Sequence, residues 1–319
     1  MEFECAPLEG ITDAVYRRTH QKYYPGVTRY YTPFMSPTHH HVFTNRQLRE
    51  LDPANNGPLL PVPQLLGKNA EDFLWAAREL ADMGFAEVNL NLGCPSGTVA
   101  AKGKGAGFLA RPEELDAFLE AVFREAPLPI SIKTRIGAER PEEFPRILAL
   151  LEQYPVCRLI IHPRTRTEFY KGPVHRDVFR DAAAATGLPL CYNGDLFTPE
   201  DILGFQREFP GIDTVMLGRG LIADPGLVGK MAGLPGDKTT LYRFLEELGQ
   251  EYIRVFDGPQ NAMHRMKAIW TYVLCSFRDG ESFRKRLGKT RRFDDMQAVA
   301  EEIFQTSELM PCADLHRVV

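Results

Sequence analysis

The 319-residue sequence predicts an α/β fold: a (β/α)8 TIM barrel followed by a C-terminal all-helical domain. Three observations carry that expectation. Short apolar runs alternate with amphipathic stretches up to about Met231. The strand-plus-helix unit recurs eight times, the number that closes such a barrel. After Met231 the strand-like runs stop and only helical periodicity remains. The barrel is expected over 1–231 and the helical unit over 232–319. A doubly wound sheet is the main alternative. It normally carries GxGxxG after its first strand, where this chain has APLEGITD (6–13).

The strands are expected at 3–6, 28–31, 62–66, 87–91, 130–134, 158–162, 188–192 and 214–217. Helical patterns lie between most of them, at 13–23, 70–83, 112–124, 141–153, 177–186 and 199–208. The second unit is the poorest match, because SPTHHHVFTNRQ (36–47) has weak periodicity. Four further helices are expected at 240–256, 261–277, 281–287 and 294–306, broken at GP (258–259), DG (279–280) and LGKT (287–290).

Composition sets the class. With 44% hydrophobic and 25% charged residues, the chain is an ordinary globular protein rather than a disordered one. No apolar run reaches the ~18 residues of a membrane span, and MEFECAPLEG does not read as a signal peptide. The six cysteines form no CxxC pair, which argues against a zinc ribbon and a disulfide framework and for a reducing, cytoplasmic setting. His39, His40 and His41 point in different directions and lack a Cys or carboxylate at ligand spacing, so no metal is expected. The net charge of −4 argues weakly against nucleic acid, but its distribution argues for it. Residues 254–292 hold ten Lys/Arg against three Asp/Glu, a plausible phosphate-binding surface that includes Arg265, Lys267, Arg284, Lys285 and Arg286.

In a barrel, chemistry sits at the C-terminal ends of the strands. Those ends read Pro7–Glu9, Pro33, Gln64, Asn91 with Cys94, Lys133 with Arg135, His162 with Arg164, Asn193–Asp195 and Gly218–Arg219. They form a polar ring. NGD (193–195) and MLGRG (216–220) put glycine directly after the last two strands, the usual phosphate site of this fold, and Arg219 adds a cation. Lys133 suits the pyrimidine edge of a flavin, where it would stabilise the negative charge of the reduced ring. Gln64 offers an amide donor and acceptor to the same edge, and His162 a ring donor. Cys94 sits between Gly93 and Pro95 at a strand end, in a context that suits a reactive group better than a core thiol. The glycine-lysine loop after it reads as a mobile lid whose Lys102 and Lys104 are placed to meet phosphates.

Together these residues resemble the tRNA-dihydrouridine synthase family. The matching stretches are APLEGITD, PQLLG (63–67), NLNLGCPS (89–96), AKGKGAGFL (101–109), SIKTRIG (131–137), HPRTR (162–166), NGD and MLGRG, with a looser match at HRMKAIW (264–270). Leu8 stands where family members often have Met. The resemblance implies an FMN enzyme that reduces the C5–C6 double bond of chosen tRNA uridines with NADPH. It implies Pro7, Leu8 and Glu9 against the flavin, and Gln64, Lys133 and His162 on its ring. It places Asn193, Gly194, Asp195, Gly218 and Arg219 at the phosphate, Asn91 on the uracil and Arg135 on the substrate nucleotide. Cys94 would be the general acid. The expected partner is tRNA, with no obligate protein partner and a monomeric state. The competing expectations are an FMN barrel acting on a free pyrimidine or small enone, and a non-catalytic RNA-binding barrel.

Overall fold

The computed structural model describes residues 1–256 and 258–315. Its eight strands are β1 (Glu2–Cys5), β2 (Arg29–Tyr30), β3 (Gln64–Leu65), β4 (Val88–Leu92), β5 (Ile130–Arg135), β6 (Arg158–His162), β7 (Leu190–Tyr192) and β8 (Thr214–Leu217). They pair in parallel in the order β2-β1-β8-β7-β6-β5-β4-β3. The two outer strands meet through bridges at Tyr31–Val62 and Met35–Leu65. The Thr32 amide donates to the Val62 carbonyl at 3.0 Å, and Leu66 to Met35 at 2.8 Å. Those bonds close the ring, so neither β2 nor β3 is left as a bare edge.

The side-chain period of two sorts each strand into an outer and an inner face. Val88, Leu90 and Leu92, Ile130 and Ile132, Leu159 and Ile161, and Val215 and Leu217 all join the apolar layer between sheet and helices. The alternate positions carry the interior. There Ala6, Tyr31, Val62, Ile160, Cys191 and Met216 form a thin apolar plug. Polar side chains fill the rest of the barrel. Glu4 is fully buried, accepts from the Tyr31 hydroxyl at 3.1 Å and pairs with Arg158. Gln64, Asn89 and Ser131 are also fully buried.

The helices start where local chemistry tells them to. Asp13 caps Ala14–Tyr23 by accepting the Tyr16 amide, and Thr198 with Asp201 forms a capping box for Pro199–Glu208. Proline stands in the first turn of Pro112–Glu125. The second unit contains two short helices, Asn45–Leu51 and Pro53–Asn56, that periodicity does not reveal. They are too short to show it. The capping box of Thr44 with Gln47 was the readable signal. The expected helix 141–153 is split into a 3-10 turn, Pro141–Glu143, and a helix, Phe144–Leu151.

Four helices follow the barrel: Lys238–Val255, Pro259–Val273, Gly280–Lys289 and Phe293–Thr306. The second ends four residues short of the expected 277. Its continuation is a 3-10 turn, Leu274–Ser276, over which Gly280 packs so closely that a Cβ there would lie 2.0 Å from the Leu274 carbonyl oxygen. The core of these helices, including Phe244, Leu248, Tyr252, Ile269 and Trp270, is continuous with Ile11, Val15, Tyr16 and Ile222 of the barrel. Trp270 and Tyr252 are therefore packing residues. None of the described helices is long and apolar enough to cross a membrane.

Candidate active site

The strand ends converge on a cavity of about 470 Å³ lined by Pro7, Leu8, Lys133, His162, Tyr170, Asn193–Phe197 and Gly218–Gly220. Larger clefts lie elsewhere, one beside Tyr24 and Leu241 with its Lys230 tied to Asp224 at 2.5 Å, one beside Leu48 and Asp52 and one beside Phe144 and Val178, but none of them gathers the strand-end side chains. The chemistry therefore points to the barrel mouth.

Four cations gather at the mouth. Lys133 projects from β5 and, among the described residues, has no hydrogen-bond or ion-pair partner. Burial, helped by the Arg135 charge, brings its pKa down to about 8. Arg135 is 1% exposed, and burial lowers it to about 10. Its Nε donates to the Gly93 carbonyl at 3.0 Å and its Nη1 to the Thr165 carbonyl at 2.7 Å. Arg164 donates to both oxygens of Asp195, at 2.8 and 2.6 Å. Arg219 donates to Asp195 at 2.7 Å. Burial and the charges of Arg135, Lys133, Arg164 and Arg219 hold His162 well below the usual histidine value, so it is neutral at pH 7. This excess of positive charge, with the Lys133 ammonium lacking a protein partner among the described residues, favours an anion in the mouth.

The donor set fits a phosphorylated flavin. Lys133 is the free cation, Arg219 is held in place by Asp195, and the mouth side of Gly218 is open, with only the Ala6 Cβ at 3.6 Å from where its own Cβ would stand. Asp195, being a carboxylate, acts by aligning Arg164 and Arg219 rather than by touching an anion itself. Asn193 donates to the Met216 carbonyl at 2.8 Å and so ties β7 to β8. Glycine is required at 194 for a reason the sequence hides: a Cβ there would lie 2.1 Å from the Tyr192 hydroxyl. The Pro7–Glu9 segment is held from behind, with the Leu8 amide donating to the Thr12 hydroxyl at 2.7 Å. Glu9 is exposed and pairs with Arg46.

Cys94 follows β4, next to β5 in the ring, where Asn91 pairs in register with Lys133. The Asn91 Oδ1 accepts the amides of Gly93 at 3.0 Å and Cys94 at 2.9 Å, which forms the turn. The Cys94 carbonyl accepts from Ala106 at 3.1 Å. The thiol is half-buried, and burial raises its pKa above the ordinary value. The pH at which alkylation of Cys94 by iodoacetamide reaches half its limiting rate is therefore expected to lie above that of an unperturbed cysteine peptide. Peptide mass mapping across a pH series reads this directly.

The loop after Cys94 is only partly a lid. Gly97–Ala100 is a helical turn with Lys102 exposed just beyond it, but residues 105–109 are buried and Phe108 packs edge-on against Phe118 at 5.5 Å. Lys104 is half-buried there, its pKa lowered by desolvation.

Several residues expected on RNA have other work in this structure. Arg265 pairs with buried Asp13 and lies 3.7 Å over the Phe256 ring. Lys267 donates to the Gly288 and Thr290 carbonyls at 3.2 and 2.6 Å, closing the end of Gly280–Lys289. Arg284 bonds Glu281 at 2.7 Å, and Arg286 holds Glu302 at 2.7 and 2.5 Å. Those last two pairs are surface pairs that phosphates can displace at small cost. Lys285 is exposed and, among the described residues, unpaired. Arg265→Ala is thus expected to act on stability. Leaving Asp13 buried and unpaired costs about 2–3 kcal/mol, read as a fall of several degrees in thermal midpoint.

Tyr170 is a mouth residue that the motif reading passed over. The Tyr170 ring stacks on His162 with centroids 6.0 Å apart, 5.4 Å from the Arg135 guanidinium and 4.8 Å from that of Arg219. An aromatic pair, Phe169–Tyr170, in the loop after a strand-end histidine was the available signal.

A (β/α)8 barrel with an anion-binding mouth and a protonated thiol beside it defines an enzyme of the phosphate- or cofactor-binding barrel class. The chain belongs to the dihydrouridine synthase family, whose family model matches residues 4–304. It is 29% identical over 95% of its length to a probable tRNA-dihydrouridine synthase 1 of Synechocystis, covering 86% of that protein. It is 30% identical over 73% of its length to the tRNA-dihydrouridine(16) synthase of Aquipseudomonas alcaligenes, covering 76% of that protein. Solved structures share the fold at lower identity. A 2-naphthoyl-CoA reductase matches with TM-score 0.56 at 14% identity, over 73% of this chain and 50% of its own. Morphinone reductase matches with TM-score 0.52 at 13% identity, over 75% and 88%. The chain is accordingly an oxidoreductase that reduces uridine in tRNA.

Proposed function

We propose that this enzyme reduces the C5–C6 double bond of specific tRNA uridines using FMN held in the barrel mouth, with NADPH as the source of electrons. Lys133, His162, Gln64 and Pro7–Glu9 would face the ring system, and Gly194, Gly218 and Arg219 the phosphate. The chemistry a reduced flavin would supply there is a hydride for carbon six of the uracil. Cys94 supplies the proton to carbon five from the opposite side, and burial keeps it in the thiol form that this step needs. Arg135 stiffens the substrate side by gripping the Gly93 and Thr165 carbonyls. The helical unit 232–319, together with Lys102, contacts the tRNA backbone, so binding should weaken steeply with salt.

One observation carries this reading: a half-buried thiol sits in the turn directly after β4, the strand paired with the one that carries the unpartnered ammonium of Lys133. The test supplies pure protein, FMN, NADPH and an unmodified tRNA transcript, then weighs the digested nucleosides. Uridine gaining two hydrogens is the expected result. A yellow, NADPH-reducible protein that modifies neither transcript nor cellular tRNA would overturn it in favour of a small-molecule reductase.

A further inference from the structure

Four buried polar side chains run in line across the barrel interior. The Asn91 Nδ2 donates to the Gln64 Oε1 at 2.7 Å, the Gln64 Nε2 to the Asn89 Oδ1 at 2.8 Å, and the Asn89 Nδ2 to the Ser131 Oγ at 2.8 Å. Gln64, Asn89 and Ser131 are fully buried and Asn91 is 7% exposed. The line crosses three adjacent strands, β3, β4 and β5, in the register Gln64–Asn89–Ser131.

The direction of this line follows from one end. Backbone amides can only donate. The Gly93 and Cys94 amides both aim at one oxygen of Asn91, so that atom is the acceptor and the Asn91 nitrogen must face Gln64. Gln64 then has to present its oxygen to Asn91 and its nitrogen to Asn89. Asn89 in turn presents its oxygen to Gln64 and its nitrogen to Ser131. Reversing any one amide would set donor against donor in a dry site, where an unmade bond costs the full desolvation of the group. Each amide therefore enforces the next, and the chain ends on a hydroxyl that can accept without a competing charge.

We propose that Asn89 and Ser131 are positioning residues for the reaction: through Gln64 they fix the orientation of Asn91, and through Asn91 the turn that carries Cys94. They touch neither Cys94 nor the mouth. Their effect is to hold one of three grips on that turn, the others being the Arg135 bond to the Gly93 carbonyl and the Ala106 bond to the Cys94 carbonyl. The part of this inference that concerns catalysis rests on the acid role proposed for Cys94, whereas the part that concerns the turn does not.

The test separates hydrogen bonding from packing. Asn89→Leu keeps the branched shape, with slightly bulkier methyl groups, and removes both bonds. Asn89→Asp keeps an acceptor for Gln64 and lets the Ser131 hydroxyl donate instead. Hydrogen exchange of the Gly93 and Cys94 amides is read by NMR, beside thermal melting. Exchange at both amides is expected to quicken about tenfold or more in Asn89→Leu, the worth of roughly one lost bond, and to stay within about threefold of wild type in Asn89→Asp. Equal exchange in wild type and Asn89→Leu would overturn the proposal. So would exchange that follows the melting temperature alone across the variants. If Asn89→Leu does not fold, Ser131→Ala and Ser131→Thr carry the test: quickening in the alanine variant restored by threonine supports the relay, and no change in Ser131→Ala refutes it. Dihydrouridine formation is assayed separately. A wild type that fails to form it would sink the proposed function and leave the exchange result standing.

Discussion

Cys94→Ala is expected to lower dihydrouridine formation by about 10²–10⁴-fold while tRNA binding and reduction of the flavin by NADPH stay near wild type. The size follows from the role. A positioned acid adds that much to a rate, and alanine leaves neither an acid nor space shaped for one. The selectivity follows from the geometry. The turn at Cys94 is held by its backbone, through Asn91, Arg135 and Ala106, so removing the thiol leaves the turn in place. Two assays on one preparation decide the matter: stopped-flow reduction of the flavin by NADPH, and mass analysis of the tRNA. Loss of both together would mean that Cys94 supports the cofactor site instead. Retention of both would remove it from the mechanism.

Lys133→Met is expected to move stability and function in opposite directions. The folded protein holds Lys133 at a pKa of about 8, below the 10.5 of an ordinary lysine. Between those values the unfolded chain binds more protons, so the lysine's contribution to stability rises with pH through that window. Below pH 8 the partly desolvated, unpartnered charge opposes folding. Methionine relieves this, and the cofactor-free variant should melt a few degrees higher at pH 7, corresponding to about 1–2 kcal/mol. That gain should shrink as the pH is raised towards 10. The same change removes the only unpaired cation among the described residues lining the mouth cavity. Flavin affinity should fall about 10–100-fold, the worth of a charged hydrogen bond in a dry site. Melting curves with and without FMN at several pH values test both halves. A variant that is less stable and equally flavin-bound would show Lys133 to be a packing residue.

How much of this was legible in the sequence differs from residue to residue. All eight strands lie on the short apolar runs that mark them, because a parallel barrel strand is buried on both faces and stays largely apolar along its length. Lys133 and His162 could be placed at the mouth because each stands at a strand end. Arg265 and Lys267 illustrate the limit. A run of basic residues reads alike whether its cations face phosphate or carbonyl oxygens. Only the packing of Pro259–Val273 against the barrel brings Arg265 to Asp13, 252 residues earlier in the chain. Tyr170 escaped because a loop aromatic has no period, and its place beside Arg135 and Arg219 depends on where the loop folds back. The need for glycine at 194 was not legible either, because a Cβ there would meet the hydroxyl of Tyr192, two residues before it, and only the fold brings the two together.

The sequence by itself determined the barrel, the ring of polar strand ends and the candidate acid, because periodicity and strand-end chemistry are local properties that a linear string carries. The tertiary structure decided which charges are free and which are satisfied. It left Lys133 alone, closed Asp195 between two arginines, and aligned Ser131, Asn89, Gln64 and Asn91 into one directed chain. The physical reason is that hydrogen bonding and desolvation act over a few ångströms of space, and residues far apart in the chain meet there only once the strands have taken their register.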